Sequence, residues 1–265
     1  MRKKIVVTGA GRGIGATAAR AFAALGASVF AIDVVAEALE GTVRGIRESG
    51  GQADAIVCDL ASDEAVADLA DRLPRDIDVL LNNAAAQQFG SGGVATLDLA
   101  QWRRSFDVNL LGHVRMVHAL LPALRNAERG YIVNTASSLA IRPNAVVQHL
   151  MPYVASKGAI VSFTQALAFA MRDEGIDVSL FCPGLTTTRV DGSTKPNAMG
   201  WMKEVPVELT VPRTMDEAVD DLLAGMAERR FLISSDTGYA DAICRLAANG
   251  LDPLSDFNDA IGAIN

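Results

Sequence analysis

The run Ile5-Val6-Val7-Thr8-Gly9-Ala10-Gly11-Arg12-Gly13-Ile14-Gly15 decides how this chain is read. An apolar, β-branched stretch gives way to closely spaced glycines, and these to an amphipathic stretch over residues 13–25. That is a strand, a tight turn and a helix. Glycines let the backbone turn sharply and approach a pyrophosphate, whose charge the helix N-terminus favours. Asp33 ends the next apolar stretch, 18 residues after Gly15. A carboxylate there accepts hydrogen bonds from an adenosine ribose and repels a 2′-phosphate. Arg12 argues the other way, as a cation that would meet the phosphate of NADP. Val34 and Val35 offer no second cation, so these residues favour NAD.

Outward from this unit, strand-like segments at 4–8, 28–32, 52–58, 79–82, 131–135, 178–182 and 230–233 alternate with helical ones. The helical segments are 13–25, 34–48, 64–73, 100–126, 154–174 and 216–228, with a further helix near 239–249 and a polar tail. The alternation predicts an α/β fold: a doubly wound, mostly seven-stranded parallel sheet of Rossmann type with helices on both faces. One domain over residues 1–265 is expected. Residues 138–152 and 185–212 read as long loops, each after the C-terminal end of a strand, where ligands bind in open α/β sheets.

Composition narrows the partners. Acidic residues outnumber basic ones by 31 to 24, and no Lys/Arg cluster breaks the pattern, which argues against nucleic acid. Charges and glycines interrupt the apolar segments, so neither a membrane helix nor a membrane partner is expected. The apolar run near the N-terminus is too short for a signal-peptide core. Cys58, Cys182 and Cys244 are odd in number and widely spaced. They form neither a disulfide framework nor a metal pattern, and read as small buried hydrophobes in a reducing cytoplasm.

Further motifs follow in order: Asn82-Asn83-Ala84-Ala85, Asn109, Asn134-Thr135-Ala136-Ser137, Tyr153-Val154-Ala155-Ser156-Lys157 and Pro183-Gly184-Leu185-Thr186-Thr187-Thr188. With Gly9, Gly13 and Gly15 as T-G-x-x-x-G-x-G, they resemble the compact branch of the short-chain dehydrogenase/reductase family. The resemblance runs from Ile5 to Thr188 and then fades into a variant C-terminal ending. It implies an NAD(P)-linked oxidoreductase with Asn109, Ser137, Tyr153 and Lys157 as catalytic residues. It also implies that Gly9, Arg12, Gly13, Ile14, Gly15, Asp33, Asp59, Leu60, Asn83, Ala84 and Ala85 hold the adenosine and pyrophosphate side of the cofactor. Pro183, Gly184 and Thr188, with Thr186 as a fallback, would hold the nicotinamide, beside Tyr153 and Lys157. Ala85 replaces the family's glycine, which is tolerable if its φ stays negative.

The chemistry explains part of this pattern. Residues four apart share a helix face, so Tyr153 and Lys157 reach one pocket, and a nearby cation is expected to lower the phenol pKa. The N-x-x-S spacing selects Ser137 over Ser138. The walls expected around the substrate, Gln88, Leu139, His149, Leu185 and Trp201 beside Ser137 and Tyr153, are mainly apolar. With no convergent Arg or Lys, they suit a small secondary alcohol or ketone, cyclic or aromatic. Helices 100–126 and 154–174 carry wide apolar faces, so a homodimer or homotetramer through them is expected. An NADPH-dependent carbonyl reductase is the competing enzyme reading. A non-catalytic dinucleotide sensor is disfavoured, because all four catalytic residues are present.

Overall fold

The computed structural model describes residues 2–86, 98–143, 147, 150–186, 213–236 and 238–254. Seven strands, β1 (Lys4–Thr8), β2 (Ser28–Asp33), β3 (Gln52–Val57), β4 (Val79–Asn82), β5 (Tyr131–Thr135), β6 (Asp177–Cys182) and β7 (Leu232–Ser234), form one sheet. Every pairing is parallel and the order is β3-β2-β1-β4-β5-β6-β7. The order reverses between β1 and β4, which opens a crevice at their C-terminal ends. The doubly wound fold expected from the alternation is the one observed.

The helices are α1 (Gly13–Ala24), α2 (Ala36–Glu48), α3 (Asp63–Asp71), α4 (Leu99–Phe106), α5 (Gly112–Arg125), α6 (Ser138–Ile141), α7 (Met151–Met171), α8 (Met215–Ala227) and α9 (Tyr239–Ala248). Strand side chains alternate between the two faces of the sheet. Ile5, Val7, Val79, Leu81 and Val133 point to the side covered by α1, α2 and α8, where Phe22, Leu39 and Leu222 pack. Val6, Leu80 and Ile132 point to the side of α3, α5 and α7, against Leu69, Leu120 and Leu167. A third cluster, made by Ala136, Ile160, Leu180, Cys182 and Tyr239, lies where α9 closes over the end of β6.

Several expected boundaries move for identifiable reasons. The single helix expected at 100–126 is two, α4 and α5, joined by a wide π-helical turn at Asp107–Leu111 that centres on Asn109. The expected loop 138–152 is partly helical. Ser137 caps α6 by accepting the Leu139 N–H, and α7 begins at Met151 with Pro152 in its first turn. The last strand starts two residues late because Arg229 takes a left-handed φ of 55° and the Arg230 N–H returns to the Gly225 carbonyl at 3.0 Å. Cys58 and Cys182 are buried as expected, but Cys244 is exposed, off the inward stripe of Tyr239, Ala242 and Leu246 on α9.

The segment Met151–Glu174 also corrects the expectation about membrane helices, since its length and its hydropathy of 1.3 would suffice to cross one. Its apolar character has two sources. Ile160, Leu167 and Met171 pack against the sheet, while Phe169 stands 80% exposed on the opposite face.

At residues 185–186 and 213–217 the chain is firmly anchored. Thr186 bridges to Arg213, whose N–H donates to the Leu185 carbonyl at 2.9 Å. Thr214 and Glu217 then form a reciprocal capping box at the start of α8. Such caps contribute about 1 kcal/mol each. The two ends of the expected loop 185–212 are thereby held together.

Candidate functional site

The glycine turn is shaped by contacts that only glycine allows. Gly9 and Gly13 have φ values of +68° and +60°, in the region L side chains avoid. Gly15 is required for a different reason: a Cβ there would land on the Gly9 carbonyl oxygen and 2.6 Å from the Asn83 amide nitrogen. Thr8, fully buried, ties this turn to the exit of β4 by accepting the Asn83 and Ala84 N–H groups at 2.9 and 3.1 Å. The Asn83 side chain returns the tie by donating to the Thr8 carbonyl at 3.2 Å. Asp33 closes the other flank, accepting the Gly11 N–H on one oxygen and the Val35 N–H on the other, both at 2.9 Å. A narrow backbone cradle with a fixed carboxylate at its rim fits the adenosine and pyrophosphate of a dinucleotide.

The other expected contacts on this side vary in disposition. Arg12 is exposed at the N-cap of α1, and Ile14 packs partly into the core. Asp59 is exposed and holds the Ala61 N–H at 3.0 Å, whereas Leu60 is buried and gives its carbonyl to Arg115. Ala85 is absent from the positive-φ residues, so the replacement of glycine there leaves the turn unstrained.

The catalytic candidates converge at the ends of β5 and β6. Tyr153 and Lys157 lie one turn apart on α7, with the ammonium 5.7 Å from the phenol ring centre. Lys157 is 1% exposed, and its Nζ donates to the Thr135 carbonyl at 2.7 Å. That bond uses one of the three protons of the ammonium and leaves two others able to donate. The Ser137 hydroxyl lies beside the Tyr153 phenol, whose pKa it lowers, and accepts the Leu139 N–H at 3.3 Å. Ser138 points its backbone elsewhere: its N–H goes to the Pro183 carbonyl and its C=O accepts from Tyr239.

Asn109 is fully buried in the π-helical turn and binds Ala86 through both amide ends, accepting at 2.7 Å and donating at 3.3 Å. Its amide also donates to Ser156 at 2.9 Å, and Ser156 donates to the Tyr153 carbonyl at 2.7 Å. Below this layer, Asn82 donates to Asn134 and Asn134 to Thr164, pinning β4, β5 and α7 together. This buried network fixes the helix that carries Tyr153 and Lys157.

Burial governs the charges here. It pushes the Tyr153 phenol up to about 12, with the Ser137 hydrogen bond pulling down and Cys182 pushing further up. It pushes Lys157 down to about 7. The expectation of a lowered Tyr153 pKa is therefore not met, because desolvation outweighs the lowering by Ser137. Cys182, also fully buried, is raised to about 12 and stays a neutral thiol.

His113 was not legible as part of the site. It is fully buried on α5, with its Nε2 3.3 Å from the Ala84 carbonyl, and burial and the charge of Lys157 push it down to about 3. A lone histidine on an apolar helix face carries no signal of its own. Its consequence is measurable. Below pH ~6.5 the unfolded chain binds a proton that the folded chain refuses until about 3, so stability falls with pH across that window. The expected loss from this group is about 2 kcal/mol between pH 7 and pH 5, or about 5 °C in Tm. Thermal unfolding of H113Q, which keeps a donor for Ala84, should lose that increment of acid sensitivity. An unchanged pH slope would refute the assignment.

Of the substrate-side residues, Leu139 is half-buried on α6 and Leu185 is 43% exposed beyond β6. Gln88, His149, Thr188 and Trp201 lie outside the described residues. Thr186 donates to the Gly184 carbonyl at 3.0 Å, and Gly184 itself donates to Ser235 at 3.1 Å. Ser235 and Tyr239, from the C-terminal ending, are site neighbours that the sequence motifs did not reveal.

Comparison with known proteins agrees with this geometry. The family model described as short chain dehydrogenase matches residues 3–198. Meso-2,3-butanediol dehydrogenase from Serratia marcescens is 33% identical, with 89% of each chain covered. A short chain dehydrogenase/reductase from Burkholderia phymatum, solved in complex with NAD, superposes with a TM-score of 0.80 at 25% identity over 94% of each chain. A short chain dehydrogenase from Burkholderia cenocepacia in complex with NADP gives 0.75 at 30% identity, covering 90% of this chain and 98% of that one. With the sheet order, the glycine cradle and the Ser137–Tyr153–Lys157 cluster pointing the same way, this chain belongs to the short-chain dehydrogenase family of oxidoreductases.

Proposed function

We propose that the protein is an NAD-dependent dehydrogenase that interconverts a small secondary alcohol and its ketone, with Tyr153 as general acid/base. The observation that carries this reading is the Tyr153 phenol set beside the Ser137 hydroxyl, one helical turn from a fully buried Lys157. A bound nicotinamide would supply the hydride chemistry. In alcohol oxidation Tyr153 takes the hydroxyl proton, and Ser137 donates to the substrate oxygen, where charge develops. Lys157 offers its remaining protons to the nicotinamide ribose. The Asn109 side chain is spent on Ala86 and Ser156, which ties its wide turn to the helix that carries Tyr153.

The cofactor choice rests on Asp33. Its oxygens are held by the Gly11 and Val35 N–H groups at the rim of the cradle, and Val34 and Val35, both about half exposed, put no cation beside them. A 2′-phosphate would meet a carboxylate there. NADH is expected to bind about 100-fold more tightly than NADPH, equivalent to about 2.7 kcal/mol. D33A should reduce that ratio to below about tenfold. Fluorescence titrations of both dinucleotides decide it, and a native preference for NADPH would overturn the NAD reading in favour of a reductase.

A screen of secondary alcohols with NAD, read by NADH absorbance, tests the activity. Apolar cyclic or aromatic alcohols should lead, in keeping with Leu139 and Leu185 beside the site. The outward apolar surface of α7 around Phe169, with Leu99 and Leu111 also exposed, supports assembly into a homodimer or homotetramer through these helices. The described cysteines are free, which supports a cytoplasmic setting for a single domain.

A further inference from the structure

The C-terminal ending lies beyond the matched residues 3–198, yet it reaches the centre of the site. Tyr239, the first residue of α9, is 3% exposed and donates its hydroxyl to the Ser138 carbonyl at 2.9 Å. The N–H of Ser138 is already fixed, donating to the Pro183 carbonyl at 3.0 Å. Both polar groups of that residue's backbone are thus held, and the residue before it is Ser137, whose hydroxyl meets Tyr153. The bracket has further points of attachment. Ser234 donates to the Cys182 carbonyl at 2.9 Å and accepts the Asp236 N–H at 3.1 Å. The Asp236 carbonyl in turn accepts the Tyr239 N–H at 3.3 Å. Cys182 supplies a buried thiol beside the Tyr239 hydroxyl, and Ser235 takes the Gly184 N–H.

We infer that Tyr239 is a positioning residue for Ser137, and that Ser234, Ser235, Asp236 and Tyr239 together clamp the backbone beside that serine. The inference rests on the proposed role of Ser137 and Tyr153. Its physical content is specific. The Ser137 hydrogen bond is an influence that lowers the Tyr153 pKa against burial. A loosened Ser137 raises that pKa, so a smaller fraction of the base is ready at neutral pH.

The chain has three tyrosines, Tyr131, Tyr153 and Tyr239, so protein labelled with 13C at tyrosine Cζ gives three signals. In Y239F one signal disappears, the Tyr153 signal moves, and the Tyr131 signal stays. Where an alcohol from the screen is turned over, the rising limb of kcat against pH should shift up by roughly half a unit. At neutral pH kcat should fall about threefold, with NADH affinity unchanged. A Tyr153 signal that stays in place overturns the inference, since a merely structural Tyr239 would not move it. If Y239F does not fold, S234A loosens the same clamp from its other end and must move the Tyr153 signal. Activity retained in Y153F would instead defeat the proposed function, so the two failures are distinguishable.

Discussion

Replacing Tyr153 by phenylalanine is expected to lower kcat by roughly a thousandfold while leaving the equilibrium affinity for NADH within about twofold. The ring remains, so the packing of α7 and the approach of Lys157 to it, 5.7 Å from the centroid, are kept. What disappears is the single oxygen beside Ser137 that is proposed to exchange the substrate proton. General acid–base catalysis contributes 10²- to 10⁴-fold, which sets the scale of the loss. Lys157, held to the Thr135 carbonyl and buried, does not depend on the phenol for its position. Cofactor binding should therefore survive. Steady-state kinetics with an alcohol from the screen, paired with NADH fluorescence titration, separate the two quantities. Turnover in Y153F within tenfold of the native rate would sink the assignment of Tyr153 as the base.

The largest expected effect on stability comes from adding one methyl group at Gly15. Its Cβ would fall on the Gly9 carbonyl oxygen and 2.6 Å from the Asn83 amide, on a buried turn held from both sides. Backbone cannot rotate away as a long side chain can, so β1 and α1 must separate. Overpacking of this kind costs about 3 kcal/mol or more, which for a domain of this size lowers Tm by on the order of 10 °C. The same displacement opens the cradle, so NADH affinity in G15A should fall at least about 100-fold. Gly13 makes the informative contrast. A Cβ there meets nothing within 4 Å, and the cost is only that of the φ of +60°. G13A should lose about 1 kcal/mol. Differential scanning calorimetry of both variants checks the ranking, and equal Tm values for G15A and native protein would refute the close-approach argument.

Much of this was legible along the chain because it is local. Strand and helix existence follows from periodicities of a few residues, and the strand of β1, its glycine turn and α1 are written contiguously from Lys4 to Ala24. Tyr153 and Lys157 share a helix face because they are four apart. Asp33 is placed by ending β2 beside the turn. Boundaries were less legible where a distant partner sets them. The wide turn at Asn109 exists because its amide finds Ala86 and Ser156, residues on two other segments.

What only the tertiary structure decided is the electrostatic state and the outer layer of the site. The spacing of Tyr153 and Lys157 suggested a phenol lowered by its neighbour, but their shared burial raises the phenol and depresses the ammonium, because desolvation depends on everything packed around them. His113 and Tyr239 reach the site from a helix face and from the C-terminal ending, with no motif to mark them. Sequence by itself determined the fold class and the family, since strand–helix alternation and the glycine turn are encoded over short stretches of chain, and it nominated the reacting groups. Which atoms are dry, which carbonyls are held and how the serine is set against the tyrosine depend on contacts between residues far apart in the chain, and those exist only once the sheet has formed.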